Sequence, residues 1–237
     1  MLRALIFYFL FCLWTLIAIF IALPLSLVSA DRIHSFAIFW GRICLKLAGL
    51  KLQVEGTENI STHGPAIYVS NHQSNFDIPI FYAGLPIQFR WLAKQELFRV
   101  PLFGLAMKRC GYIAIDRSDR RKAMHSLNEA AHKIKSGTSV IIFPEGTRTD
   151  DGQVQPFKKG ALVIAAKAQV PIIPVAITGS YQVQPKGTWL VGRAALKLTF
   201  FQPVATENLR VSDVEKLTEN IHTQIAGAVK GEAQYAG

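Results

Sequence analysis

The sequence predicts an α/β fold behind an apolar N-terminal helical anchor, and three observations predict it. After residue 50, short apolar runs of β type alternate with stretches of helical period, the pattern of a sheet flanked by helices. The chain has 237 residues, enough for one sizeable domain plus an anchor. From Ala4 to Ala30 there is no charged residue.

That first segment is rich in Leu, Ile, Phe and Trp, and as a helix it would extend about 40 Å, more than the ~30 Å hydrocarbon core of a bilayer. Arg3 and the Val28-Ser29-Ala30 sequence resemble the ends of a signal peptide, but the apolar stretch is much longer than the ~7–15 residues of a signal core. A retained anchor is expected instead. It is either a spanning helix bent at Pro24 or a monotopic hairpin in which Ile33–Leu50, with Arg42 and Lys46 interspersed, folds back as an interfacial helix. Basic residues flank both ends, so the loop charges do not choose an orientation. The organisation predicted is an anchor over 1–50 and a globular domain over 51–237.

The domain's elements follow in order. Leu52-Gln53-Val54 alternates as an edge strand, and Ala66–Ser70 is a buried run. Tyr112–Ile115 is a short buried strand, and Ser139–Phe143, the most β-branched run, is expected near the sheet centre. Ile172–Thr178 is another buried strand, predicted to be bulged or near an edge because Pro174 cannot donate to a ladder. Leu196–Phe201 alternates as the last strand. Helical spacing covers Arg120–Ile134, Gly160–Lys167 and Val214–Val229, the last capped by Ser212 or Asp213. Ligands of such folds gather at the carboxyl ends of strands, which singles out the loops after Ser70, Ile115 and Phe143.

The first of these loops carries the clearest chemistry. In Asn71-His72-Gln73-Ser74-Asn75-Phe76-Asp77 an imidazole and a carboxylate stand five residues apart. Five residues of continuous helix sweep about 500°, so the two side chains would diverge. They meet if His72 lies in the turn and Asp77 in the first turn of the next helix, capped by Ser74 or Asn75, with Pro79 where a missing N–H costs little. The result is the general-base half of a catalytic triad with no nucleophile beside it.

The other constellations are weaker alone. In Phe143-Pro144-Glu145-Gly146-Thr147-Arg148, Gly146 permits a tight turn, Thr147 offers a hydroxyl, and Arg148 a planar fork suited to phosphate. Glu145 is expected to anchor Arg148 or a substrate hydroxyl. An ordinary solvated turn has the same composition. Ile115-Asp116-Arg117 places a second cation at a strand end, where a surface pair is the bland reading. Lys158 and Lys159, before the Gly160 helix, suit a phosphate or a solvated basic turn equally. Val170-Pro171-Ile172-Ile173-Pro174-Val175 is a structural strand or a wall for an acyl chain. The remaining histidines, His34, His63, His125, His132 and His222, are expected to be surface or structural.

Composition narrows the partners. The net charge is +10, and Arg3 is the only charge before Asp31, which leaves +9 on the rest. Such a surface attracts anions. Lipid headgroups come first for an anchored chain, and no zinc-finger spacing or RNA-binding aromatic signature points to nucleic acid. Cys12, Cys44 and Cys110 are odd in number and lack metal-ligand spacing, so neither disulfide nor metal is predicted. All three are expected to be buried thiols in a reducing compartment.

Asn71-His72 with Asp77, then Ile115-Asp116-Arg117, then Phe143-Pro144-Glu145-Gly146-Thr147-Arg148, then Val170–Val175, occur in an order that resembles the four blocks of the glycerolipid acyltransferases, the 1-acyl-glycerol-3-phosphate acyltransferases above all. The resemblance covers roughly residues 50–205. It implies a mixed, largely parallel sheet flanked by helices. It implies fatty acyl transfer from acyl-CoA or acyl carrier protein, as co-substrate rather than cofactor, to the sn-2 hydroxyl of lysophosphatidic acid, giving phosphatidic acid at the cytoplasmic face of the inner membrane. His72 becomes the base and Asp77 its orienter. Arg117, Glu145, Gly146, Thr147 and Arg148 become the phosphate and glycerol site, with Lys158 a weaker addition. Two rivals remain at this level: an acyltransferase for another lyso-lipid or for glycerol 3-phosphate, and a catalytically silent, membrane-anchored binder of anionic lipid.

Overall fold

The computed structural model describes residues 1–101, 103–116, 118–158 and 161–235. Helix α1 (Leu2–Leu25) and helix α2 (Ala30–Leu47) form an N-terminal hairpin. The sheet strands are β1 (Leu52–Glu55), β2 (Ile67–Ser70), β3 (Phe89–Lys94), β4 (Ile113–Ile115), β5 (Ser139–Ile142), β6 (Ile172–Thr178) and β7 (Leu196–Phe200). Between and after them lie α3 (Asp77–Gly84), α4 (Phe103–Arg109), α5 (Arg120–Lys135), α6 (Val163–Ala168), the short α7 (Ser180–Val183) and α8 (Val214–Tyr235). The spatial order is β1-β7-β6-β2-β5-β3-β4. Neighbours from β6 to β4 run parallel, β7 is antiparallel to β6, and β1 is parallel to β7. The sheet is thus mixed and largely parallel, as expected.

Two apolar layers enclose it. One face, with Tyr68, Phe89, Trp91 and Ile141, packs against α3 and the N-terminal hairpin; the other, with Ile67, Val69, Val140 and Ile142, packs against α5, α6 and α8. Burial on both faces explains why the central strands are continuous apolar runs rather than alternating ones.

Several elements differ from expectation. Strand β6 is buried along all seven residues, as predicted, but lies inside the sheet between β2 and β7 rather than near an edge. Proline is tolerated there because Pro174 turns its backbone toward β7 as that strand ends. Its carbonyl accepts from the Phe201 N–H (2.9 Å), just beyond Phe200, and pairing resumes only at the Ile172–Val204 bridge. The edge strands are β1, as its alternation predicts, and β4. Strand β3 has no counterpart in the sequence reading, nor does α4. The alanine-rich helix begins at Val163 rather than Gly160, which lies outside the described residues with Lys159. Helix α8 follows a 3₁₀ turn, Val211–Asp213, in which the Asp213 carboxylate accepts from the Arg210 N–H (3.2 Å).

The N-terminal hairpin is the candidate anchor. Among the described residues, α1 is the one helix long and apolar enough to cross a membrane, with mean hydropathy 2.6. It does not project from the body. Near its start, the Arg3 guanidinium donates to the Ala48 carbonyl (2.6 Å). Phe7 packs tilted against Phe76, with centroids 5.5 Å apart, and the Gln184 amide donates to the Tyr8 hydroxyl. Past its end, Arg109 of α4 donates to Ser26 Oγ (2.9 Å). Helix α2 in turn packs on α3, where Gly41 comes so close that an added Cβ would lie 2.7 Å from the Tyr82 Cβ. The face of α1 turned away from the body leaves Leu5, Ile6, Phe9, Leu16 and Phe20 exposed. Cys12 is exposed there too, contrary to expectation; Cys44 is buried and Cys110 half-buried.

Candidate functional site

The site forms at the carboxyl ends of β2 and β5, adjacent parallel strands. Beyond Ser70 the chain is held to β6 by a side chain acting as a further rung. Asn71 Nδ2 donates to the Ile177 carbonyl (2.9 Å), and its Oδ1 accepts from the Ile177 N–H (2.8 Å). Asn71 is fully buried, so both bonds form away from water. This clamp fixes the direction in which the next residue leaves the sheet.

That residue is His72, and the structure brings it to Asp77 as the spacing predicts. Asp77 is the first residue of α3 and fully buried; its Oδ2 lies 2.7 Å from His72 Nδ1. The same oxygen accepts from the backbone N–H groups of Gln73 (2.7 Å) and Ser74 (2.9 Å). A carboxylate can only accept, so the ring proton sits on Nδ1 and Nε2 is left with a lone pair. The helix start differs in detail from expectation: Phe76 is the cap residue, without a side-chain bond to the helix. Ser74 Oγ accepts from the Phe76 N–H (3.2 Å) and donates to the Gln184 carbonyl (2.9 Å), while Asn75 reaches the Gln184 side chain (3.3 Å). Asp77 therefore organises the turn before it as well as the ring. The imidazole lies flat on Phe143, with centroids 4.1 Å apart and planes 9° from parallel, and keeps 20% of its surface exposed.

Glu145 has a different place from the one expected. Its carboxylate does not meet Arg148. It accepts from the His72 N–H (2.6 Å) at one oxygen and from the Gln155 N–H (3.0 Å) at the other. The Thr149 N–H donates back to the His72 carbonyl (3.0 Å), and Gln73 Nε2 to the Gly152 carbonyl (2.6 Å). The loop after β5 is thus stapled to the turn that carries His72. Burial pushes the Glu145 carboxyl up to about 7, against the pull of the Gln155 and His72 N–H groups. Its role was invisible in the sequence because both its partners are main-chain donors, one of them 73 residues away.

The other expected residues sit as follows. Gly146 has φ 76°, a left-handed conformation that the tight turn after Pro144 requires. Thr147 is exposed and Arg148 half-buried on the same turn. Lys158 donates its backbone N–H to the Pro144 carbonyl (3.1 Å) and lines an apolar cavity of about 210 Å³ with Leu92, Ile115, Leu127, Ile142 and Phe143. That cavity shares Phe143 with the His72 ring. Residues 170–175 are not part of its lining. The loop after β4 is set apart. Strand β3 intervenes, so β4 lies three strands from β2, roughly 14 Å at the usual spacing. Arg117 lies outside the described residues. Among the described residues, no group of His, Cys, Asp and Glu is arranged to hold a metal ion. Asn71, Gln73, Thr149 and Gln155 shape the site without having been singled out. Only Asn71 left a trace, as the polar residue between a buried strand and the histidine.

A ring poised by a buried carboxylate at the carboxyl edge of a parallel sheet, with no described serine or cysteine bonded to it, is what a general base acting on a substrate's own nucleophile requires. Comparison with known proteins gives the family. The family model Acyltransferase matches residues 51–178. The chain is 38% identical over 156 residues to the chloroplastic 1-acyl-sn-glycerol-3-phosphate acyltransferase BAT2 of Brassica napus, covering 65% of this chain and 45% of that one. It is 33% identical over 215 residues to 1-acyl-sn-glycerol-3-phosphate acyltransferase alpha of Mus musculus, covering 88% and 74%. The crystal structure of the 1-acyl-sn-glycerophosphate (LPA) acyltransferase PlsC from Thermotoga maritima matches with a TM-score of 0.83 and 31% identity, over 98% of this chain and 95% of that one. The chain belongs to the acyltransferase family. It spans less than half the length of the chloroplastic relatives it matches, 45% and 43% of two of them.

Proposed function

We propose that this protein transfers a fatty acyl group from a thioester, acyl-CoA or acyl carrier protein, to the sn-2 hydroxyl of 1-acyl-glycerol 3-phosphate. The observation that carries the reading is the His72–Asp77 pair, 2.7 Å apart, whose ring has no enzyme nucleophile beside it among the described residues. The acceptor hydroxyl then attacks the thioester carbonyl directly. As the new C–O bond forms, His72 Nε2 takes the hydroxyl proton, and the buried Asp77 carboxylate supports the imidazolium through Nδ1. The C–S bond breaks, and the imidazolium returns the proton to the departing thiolate. Positioned base catalysis of this kind contributes about 10²–10⁴-fold.

The substrates fit the surroundings. Arg148, with Arg117 and Lys158 as further cations, is assigned to the acceptor's phosphate, and Gly146 and Thr147 to its glycerol. Glu145 serves by stapling the turn rather than by touching substrate. The apolar cavity beside Phe143 suits an acyl chain. Helix α1, held to the body near both ends, lies along the membrane surface with its outer face in lipid rather than crossing it. This makes 1–50 a lipid-contacting hairpin and 51–237 the catalytic domain. Three unpaired cysteines accord with the reducing, cytoplasmic face.

The test is an acyl-transfer assay with purified protein in lipid, offering lysophosphatidic acid, glycerol 3-phosphate and a lyso-ornithine lipid in parallel, with H72A as control. The expected result is transfer to lysophosphatidic acid that H72A abolishes while the variant stays folded. Near-normal transfer by H72A overturns the mechanism, and preference for another acceptor overturns the substrate.

A further inference from the structure

The chain between β3 and β4 carries apolar side chains that the fold leaves uncovered. Over the 3₁₀ turn Gln95–Arg99 and helix α4, Leu97 (41%), Val100 (47%), Phe103 (53%) and Leu105 (45%) are exposed. Their neighbours Phe98 and Met107 are buried and fix the underside. Gly104 completes the fit: a Cβ there would lie 2.1 Å from the Phe98 carbonyl oxygen, so the helix sits directly on the turn. The segment is a shaped hood with an apolar outer side, not a frayed loop.

Two features say what covers it. The first is continuity. Arg109 of α4 donates to Ser26 Oγ (2.9 Å) in the turn between α1 and α2, where Leu27 (77%) and Val28 (59%) are exposed. The hood is therefore tied to the turn that follows α1, beside further exposed apolar side chains. The second is charge. Lys94, Arg99, Lys108 and Arg109 stand exposed on the segment against one carboxylate, Glu96. Apolar side chains bordered by cations are the composition of an element that lies in an anionic lipid interface.

We propose that residues 97–101 and 103–109 form a second membrane-contacting element, seated in an anionic bilayer beside α1. This rests on reading α1 as a lipid-facing helix, and it adds a function to that reading. The hood packs on β4, the edge strand that leads into the Asp116 loop.

The experiment uses the full chain with a polarity-sensitive NBD probe attached through L105C in a C12S/C110S background. Vesicles of phosphatidylcholine, with and without phosphatidylglycerol, are added, and binding is read separately by flotation. The expected result is a blue-shifted probe, quenched by a lipid-borne quencher and most strongly in the anionic vesicles. A second variant, F103S/L105S, is expected to raise the KM for vesicle-embedded lysophosphatidic acid roughly tenfold, with kcat unchanged on a short-chain acceptor free in solution. Protein that floats while the probe stays in water overturns the proposal and leaves the α1 reading standing. Protein that does not float overturns both. A probe already shielded before lipid is added assigns the hood to a second copy of the chain and overturns the proposal too.

Discussion

Replacing Asp77 by asparagine separates the two tasks its carboxylate performs. Oδ2 accepts from the His72 ring and from two backbone N–H groups, while Oδ1 is buried without a partner. An asparagine oxygen can occupy the Oδ2 position and keep the turn. Its NH₂ then takes the place of Oδ1 and is left buried and unpaired, at a cost of about 1–3 kcal/mol. For a chain of this size each kcal/mol lowers the melting temperature by about 2–4 °C, so D77N should stay folded and melt several degrees lower. The catalytic loss is larger. A carboxylate and an imidazolium with charge centres about 4 Å apart attract by about 4 kcal/mol at an effective dielectric of 20. Losing that support where the ring becomes charged lowers kcat on the order of 10³-fold, since each 1.36 kcal/mol is a factor of ten. The assay is steady-state transfer at saturating donor and acceptor, with a thermal melt of the same preparation. A D77N protein that keeps more than about a tenth of its kcat would refute the assignment of Asp77 as the support of a charging base.

Three further outcomes are expected. E145Q offers one acceptor to two backbone donors, so it should destabilise by about 1–3 kcal/mol. It should also change the pH dependence of stability. The Glu145 carboxyl is raised from 4.5 to about 7, so its contribution is fully present below pH 4.5 and lost as the pH rises through about 7. Thermal melts between pH 5 and 8 should show that decline in the parent protein and not in E145Q. N71A strips both backbone groups of Ile177 of their partner in a fully buried position and should cost on the order of 2–4 kcal/mol by denaturant titration. R148A should raise the acceptor's KM about tenfold or more through the loss of a charge-assisted phosphate contact. A change confined to the donor's KM would contradict the phosphate assignment.

What the sequence disclosed and concealed divides along the range of the interactions. The meeting of His72 and Asp77 follows from a five-residue spacing and a helix start between them, all local. Strand β3 was hidden because Arg90 interrupts its apolar run, yet Arg90 is only 7% exposed. Its guanidinium donates to the Phe89 carbonyl (2.8 Å) and to the carboxylate of Asp31, 59 residues earlier on α2. No window of sequence contains that partner. His34 is similar: it is 1% exposed, its Nε2–H donates to the Ile87 carbonyl (3.1 Å), and burial beside Arg90 pushes its pKa down to about 4. Pro174 misled for the converse reason. Its local rule, no donor and hence an edge, is satisfied inside the sheet because the neighbouring strand stops opposite it. Glu145 looked like a ligand for Arg148 because side chains attract attention in a sequence and backbone amides do not.

The solitude of the His72 ring among the described residues has a kinetic consequence. With no serine or cysteine bonded to that ring among the described residues, the proposed mechanism leaves no covalent memory of the donor. Both substrates must be present together, so initial-rate plots should converge rather than run parallel, and free thiol should not exchange into the thioester when the acceptor is missing. Reagents that trap serine hydrolases through an acylated hydroxyl should leave the protein untouched. Unproductive hydrolysis of the donor is then limited only by how well water is kept from Nε2 while the acceptor's place is empty. The flat seat of the imidazole on Phe143 shields one side of the ring from water during that wait.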